Sequence, residues 1–299
     1  MPFDFSPITV TVAGTCGELV QGWSAPWAEP VLVSCPIACY SRVTCQLTSR
    51  GVIEAPPHHE KAQRAARLLL DRLAQPEIGL KIEISSDLIP ARGMASSTAD
   101  VVGVLTGLGL ALGRRLGPAQ LARLACRIEP SDSTMFNGLA LLAYRGSARW
   151  RRLGSVPALP LLLLDPGQAL DTVAYNARLD LARVRALAAT TQAALDLLQA
   201  GLKQGDPALI GAAASLSAHS YQAINDNPLV IAAQGWASAT GGLGVIRAHS
   251  GTIVGLLYGP GAELTGPAAW LAGRFTGLIR PTSLTNETCR VTQPATSWG

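Results

Sequence analysis

Leu88-Ile89-Pro90-Ala91-Arg92-Gly93-Met94-Ala95-Ser96-Ser97-Thr98-Ala99-Asp100 joins two segments of different periodicity. Before it, Leu80-Lys81-Ile82-Glu83-Ile84 alternates apolar and charged residues as a half-buried strand does, and Ser85-Ser86-Asp87 turns the chain. After it, an apolar run from Ala99 to about Gly113 predicts a helix. Between them lies a loop of small residues headed by a proline, with a glycine in its middle. Small side chains let backbone N–H groups approach an anion, and the first helical turn adds unpaired N–H groups and the positive end of its dipole. The hydroxyls of Ser96, Ser97 and Thr98 suit phosphate oxygens or a hard cation such as Mg²⁺. They equally suit a Ser-capped helix after a tight turn, so the loop alone leaves both readings open.

The rest of the chain supplies three further polar stretches. Ile8-Thr9-Val10-Thr11-Val12 alternates like a strand and runs into Ala13-Gly14-Thr15-Cys16-Gly17-Glu18-Leu19-Val20-Gln21-Gly22, read as a strand-to-turn segment. Val31–Ile37 and Tyr40–Leu47 read as two more strands, Glu60–Leu73 as an amphipathic helix, and Ala119–Ile128 as a helix that begins after Pro118. Glu129-Pro130-Ser131-Asp132-Ser133-Thr134 then places two acids three residues apart among hydroxyls. Helix capping by Ser131 or Asp132 is one reading. The other is an acid that holds a divalent ion beside an acid that receives a hydroxyl proton, the parts that phosphoryl transfer needs next to an anion cradle. Leu139–Tyr144 and Pro157–Leu164 are apolar strands, the second buried on both faces. Helical spacing follows over about 177–204, over Pro207–Gln222 and after Asp226-Asn227-Pro228. Gly244–Tyr258 breaks two strand-like runs at Ala248-His249-Ser250-Gly251-Thr252. His58, His59, His219 and Ser220 are read as solvated or helix-end residues, and Pro294–Gly299 as a frayed tail.

Bulk properties narrow the class. With 299 residues the chain can bury a sizeable core, and 15% charged residues with 48% hydrophobic ones exclude a long disordered arm. The net charge of +4 comes from scattered arginines, and aromatic content of 5% lacks the interleaving of a nucleic-acid surface, so no nucleic acid is expected as partner. Arg149-Trp150-Arg151-Arg152 reads as a solvated loop or strand edge. The six cysteines form no C-x-x-C pair, Met1–Phe5 has no basic signal start, and the longest apolar run is short of the ~20 residues that span a bilayer. The expectation is a cytoplasmic protein with reduced thiols and no membrane partner.

Pro90-x-x-Gly93-Met94-Ala95-Ser96-Ser97-Thr98-Ala99 resembles the phosphate loop of the GHMP kinases, with Met94, Ala95 and Thr98 as its departures. It is not a Walker A loop, since no Gly-Lys-Ser/Thr occurs among the three lysines, Lys61, Lys81 and Lys203. Ala13–Gly22 resembles the N-terminal motif of the same superfamily, with Thr15 and Cys16 where most members carry a basic residue. The E-P-x-D-S-T and A-H-S-G-T stretches are similar to those of its L-threonine kinase branch, which serves cobalamin synthesis. The resemblance, over about Ala13 to Thr252, implies an α+β two-domain GHMP kinase fold. Residues 1–152 would be a ribosomal protein S5 domain 2-like ATP- and Mg-binding domain, and residues 153–299 a ferredoxin-like domain. It implies ATP and Mg²⁺ as cofactors. Pro90, Ala91, Arg92, Gly93, Met94, Ala95, Ser96, Ser97 and Thr98 would cradle the phosphates, with Ser96 and Thr98 on phosphate oxygens. Ser97 and Glu129 would hold Mg²⁺, Asp132 would act as base or orient the acceptor, and Glu18, Gln21, His249 and Ser250 would contact it. L-threonine is the implied acceptor and a homodimer is admitted. Two rivals stand beside this reading: a homoserine or other small-hydroxyl kinase of the same superfamily, and a non-catalytic nucleotide- or metabolite-binding member.

Overall fold

A computed structural model describes residues 5–49, 51–170 and 172–292; the Pro294–Gly299 tail and the first four residues lie outside the described residues. The chain opens with β1 (Ile8–Ser24), β2 (Glu29–Thr48) and β3 (Ile53–Glu54), then α1 (Glu60–Arg72), β4 (Gly79–Ser86), α2 (Ser96–Ala111) and α3 (Pro118–Ile128). Strands β5 (Leu139–Leu142), β6 (Trp150–Gly154) and β7 (Pro160–Asp165) follow. After them come α4 (Thr172–Arg178), α5 (Leu181–Ala186), α6 (Ala188–Gln204), α7 (Pro207–Ser220) and α8 (Pro228–Thr240). The chain closes with β8 (Gly244–Arg247), β9 (Val254–Leu257), α9 (Thr265–Ala272), β10 (Leu278–Ser283) and β11 (Cys289–Thr292).

The strands form one sheet with the path β10-β7-β9-β8-β1-β2-β4-β3; β11 joins β1, and β5 joins β2 and β6. Helix α2 is apolar on all sides, as its near-total burial requires, and packs on β1 and β2 with α1 and α3 beside it. Leu161 and Leu163 of β7 enter the larger core while Leu162 and Leu164 enter a second one with Val230, Ala233, Val245 and Leu256. That alternation is why the Leu161–Leu164 run carries no polar residue.

Three expectations change. The segment Ala13–Gly22 is not a turn: β1 runs through to Ser24, with register shifts between Ala13 and Val20. Gly17, at φ +61°, sits inside these bulges, and a Cβ there would stand 2.2 Å from the Arg247 carbonyl oxygen. The backbone bends but keeps partners on both sides, which is what a bulge does and a turn does not. Second, 31–37 and 40–47 are one strand, β2, with Pro36 accommodated where Thr15 opposes it at the β1 bulge. Third, the helical stretch over 177–204 is broken: the Asp180 side chain accepts from the amides of Ala182 and Arg183, starting α5 afresh. After Arg280 the chain stays in the sheet, β10 pairing with β7 and β11 with β1.

Strand β6 carries exposed Trp150, Arg151 and Arg152 and pairs with β5, so the basic cluster lies on a strand edge. No helix among the described residues is long and apolar enough to cross a membrane.

Candidate active site

The loop between β4 and α2 is held from behind. The Arg92 carbonyl accepts from Thr252 and Ile253 amides (3.0 and 3.1 Å), Gly93 O accepts from Gly17 N (3.3 Å), and Met94 O accepts from Thr15 N (3.1 Å). The Met94 side chain is buried beneath, which explains an apolar residue in a polar loop. Ala91, Gly93 and Ala95 take positive φ values of 59°, 95° and 56°. Residues of opposite hand in alternation turn successive N–H groups toward one side, a concavity that binds anions. Ala95, not a serine, precedes α2, and no side chain caps the helix. Ser96 and Ser97 therefore lie inside the first turn, whose amides have no intrahelical acceptor. A Cβ on Gly93 would stand 2.3 Å from the Ala248 methyl, and one on Gly251 2.3 Å from the Arg92 carbonyl oxygen. Glycine at both positions lets the loop before α2 and the Ala248–Thr252 stretch interlock.

The acids of the Glu129–Thr134 stretch face this loop. Ser97 Oγ donates to Glu129 Oε1 at 2.5 Å, and the Lys61 ammonium pairs with Glu129 Oε2. A carboxylate and a hydroxyl side by side are hard oxygen donors that fit Mg²⁺. Among the described residues no cluster of three or more His, Cys, Asp or Glu offers an all-protein cation cage. The donor set suits an ion that completes its shell with water and phosphate. Thr98, expected on a phosphate oxygen, instead donates to Asp132 Oδ2 and accepts from the Asp132 amide, both at 3.3 Å. Ser34 Oγ lies 3.5 Å from Asp132 Oδ1 and accepts from Ser133 N at 3.0 Å.

Glu18 comes to Asp132 from β1. Burial, and then the charge and hydrogen bond of Asp132, push the Glu18 carboxyl well above the usual carboxylate range. Burial also raises Asp132, with the Glu129 charge adding to it, while hydrogen bonds from Glu18, Thr98 and Ser34 pull the other way. Both carboxyls are thus held above the usual carboxylate range, each by burial first.

His249 is buried among the rings of Tyr144, Tyr175 and Tyr221, with centroids at 4.8, 5.7 and 5.3 Å, and its Nδ1 lies 2.9 Å from Gln21 Oε1. Burial, then Arg247 and Arg145, lower its pKa to about 3, so the ring is neutral. Ser250 is half-buried in the adjoining turn. The structure thus gathers Asp132, Glu129, Ser97 and Glu18 at the head of α2, with Gln21 and His249 farther along the same β1 wall. Arg92 turns its guanidinium toward Asp165 (3.8 Å). Sequence reading missed Lys61, Ser34 and Arg247. The scarcity of lysine was a usable signal for the first; nothing local marks the other two. A surface cavity of 650 Å³ lined by Arg72, Arg114, Arg123 and Arg127 holds none of these side chains. It lies at the far end of α2, about 20 Å away at 1.5 Å per residue.

Known proteins resemble the chain in sequence and in fold. The GHMP kinases N terminal domain family matches residues 60–141. An L-threonine kinase of Salmonella typhimurium is 32% identical over 250 residues, covering 81% of this chain and 80% of that one. The chain belongs to the GHMP kinases. A homoserine kinase of Moorella thermoacetica is 33% identical over 132 residues, 42% of this chain and 45% of its own. The crystal structure of a homoserine kinase from Cytophaga hutchinsonii superposes with a TM-score of 0.72 at 16% identity, covering 96% and 98% of the two chains. The α+β fold is thus the GHMP kinase fold, and the chain is a phosphotransferase with an alcohol acceptor. GHMP kinases bind ATP, and the cradle at the head of α2 has the features that phosphate requires.

Proposed function

We propose that this GHMP kinase transfers the γ-phosphoryl group of MgATP to the side-chain hydroxyl of L-threonine. The product, O-phospho-L-threonine, would serve the nucleotide-loop side of adenosylcobalamin synthesis in the cytoplasm. The observation that carries the reading is 32% identity to an L-threonine kinase across four-fifths of both chains. The loop amides of 91–98 and the α2 dipole bind the donor phosphates, Ser97 and Glu129 hold the Mg²⁺ that accompanies ATP, and Lys61 places a positive charge beside Glu129. As the acceptor oxygen attacks phosphorus, its bond to the β–γ bridging oxygen breaks and ADP leaves. The hydroxyl proton passes to Asp132 or, through it, to solvent. Thr98 and Ser34 hold the Asp132 carboxylate, and the Glu18 proton stabilises its charge. We further propose residues 1–152 and 153–299 as the two domains, a division that falls within β6.

The test is ADP release from MgATP with L-threonine, L-serine, L-homoserine or no acceptor. L-threonine should stimulate turnover most, and Asp132→Ala should lower kcat by about 10²–10⁴-fold. Glu129→Ala should raise the Mg²⁺ requirement. Turnover on homoserine alone would replace threonine as acceptor, a reading that the Moorella thermoacetica relative supports. Nucleotide binding without turnover on any acceptor would make the chain a binding member of the family.

A further inference from the structure

Arg247 ends β8 as the largest wholly buried side chain in the molecule, with 0% exposure. Among the described residues no carboxylate lies within ion-pair distance of it. Its Nη1 donates to Gln222 Oε1 at 2.5 Å, its Nε to Ala248 O at 3.4 Å, and its guanidinium carbon lies 5.4 Å from the Tyr221 ring centre. Nη2 donates to nothing. Gln222 is itself fixed: its Oε1 also accepts from Asn227 N, and its amide donates to Asn227 O and Asp226 Oδ1. The guanidinium is thus aimed and left one donor short. An unpaired buried charge is expensive, and native proteins keep one where a ligand completes it.

The same place has further unpartnered polar atoms: Glu18 Oε2, Gln21 Nε2 and His249 Nε2. Glu18 stands directly opposite Arg247 in the β1–β8 pairing, so both side chains leave the same face of the sheet. Glu18 makes no ion pair with Arg247, and burial and then Asp132 push its carboxyl above the usual carboxylate range. His249 is neutral, and its Nδ1–H donates to Gln21 Oε1, which leaves Nε2 as an acceptor with no donor, ringed by three tyrosines. One cation lacking an acceptor and one aromatic-lined acceptor lacking a donor stand two residues apart. They complement a group that is negative at one end and a hydrogen-bond donor at the other.

We propose that Arg247 and His249 form the head-group receptor for the acceptor: Arg247 Nη2 donates to an α-carboxylate, and His249 Nε2 accepts from the neighbouring α-ammonium. The acceptor is then an α-amino acid, and its side-chain hydroxyl is directed past Glu18 toward Asp132. This rests on the phosphotransferase reading above and adds the residues that select the acceptor class. Tyr175 belongs both to this cluster and to a 370 Å³ surface cavity lined by Leu170, Arg178 and Ile224.

The experiment compares L-threonine with L-threoninamide as acceptors for the unaltered enzyme, and L-2-aminobutyrate with L-2-aminobutyramide as ligands in calorimetry. The carboxylate member of each pair should be preferred by about 100-fold. In Arg247→Met the KM for threonine should rise by about that factor with a smaller change in kcat, and the threonine-to-amide preference should fall toward one. Arg247→Lys should restore part of it. Equal use and equal binding of acid and amide by the unaltered enzyme would overturn the proposal, as would an Arg247→Met enzyme that keeps the preference. If Arg247→Met does not fold, the two ligand pairs decide. Tight L-2-aminobutyrate binding without turnover of any hydroxy amino acid would sink the proposed function and leave this receptor standing.

Discussion

Glu18 and Asp132 are two carboxyl groups in one buried contact, and their protonation has consequences for both stability and rate. An unfolded glutamate loses its proton near pH ~4.3. Folding raises the Glu18 value, first by burial and then by Asp132. Between the unfolded and the folded pKa the native state binds more protons than the unfolded one. The stabilisation from Glu18 is therefore complete below the unfolded value and is lost as pH rises through the folded one. Glu18→Gln keeps an N–H donor for Asp132 and removes the titration, so it should be more stable than the parent at pH 7–8 and show a flatter stability profile above pH 4. Urea unfolding across that range measures both. Identical pH slopes in the two proteins would show that Glu18 is ionised in the fold. Asp132 must be ionised to take a proton, and burial raises it as well. The acid limb of kcat/KM should thus lie above the ordinary aspartate range, and Glu18→Ala, which removes the donor, should move it higher still.

At the scale of elements, the loop before α2 and the turn after β8 depend on each other more than on their own residues. The Arg92 carbonyl accepts two amides from the 252–253 backbone, and a Cβ on Gly251 would collide with that carbonyl. Gly251→Ala should cost about 1–3 kcal/mol and weaken nucleotide binding, because the loop must shift to admit a methyl group. Gly235→Ala, in the middle of α8 with open space around it, should instead gain about 0.5–1 kcal/mol. Chemical denaturation of both, with titration of an ATP analogue, separates close packing from helix propensity. Helices were the legible elements here: α1, α2, α3, α7 and α8 lie where apolar spacing and the prolines at 118, 207 and 228 place them. Such signals are local. The extended course of Ala13–Gly22 is not, since its small polar residues stay in a strand through bonds to β2 and β8 on either side. Leu278–Ser283 and Cys289–Thr292 are strands for the same reason, their partners lying more than a hundred residues away.

Across the whole molecule, β1 is the shared member. It pairs with β2, β8 and β11, α6 and α7 pack on it, and Gln21 N donates to Ser217 Oγ. The larger core takes in Val10, Leu69 and Leu105 together with Leu161, Leu198 and Ile246. With the core crossing the 152/153 division, thermal unfolding should be a single transition, coincident in calorimetry and tryptophan fluorescence. Two separated transitions would show that the halves unfold independently. By itself the sequence determined the family and singled out the small-residue loop and the Glu129/Asp132 pair as candidates, because each rests on residues close together in the chain whose spacing carries the chemistry. Only the tertiary structure decided which hydroxyl serves which acid, that Lys61 reaches Glu129, that Glu18 is buried beside Asp132, and that Arg247 is buried with no ion pair among the described residues. Those outcomes depend on which side chains share one desolvated space, and the sheet register across β1 sets that, not the order of residues along any one segment.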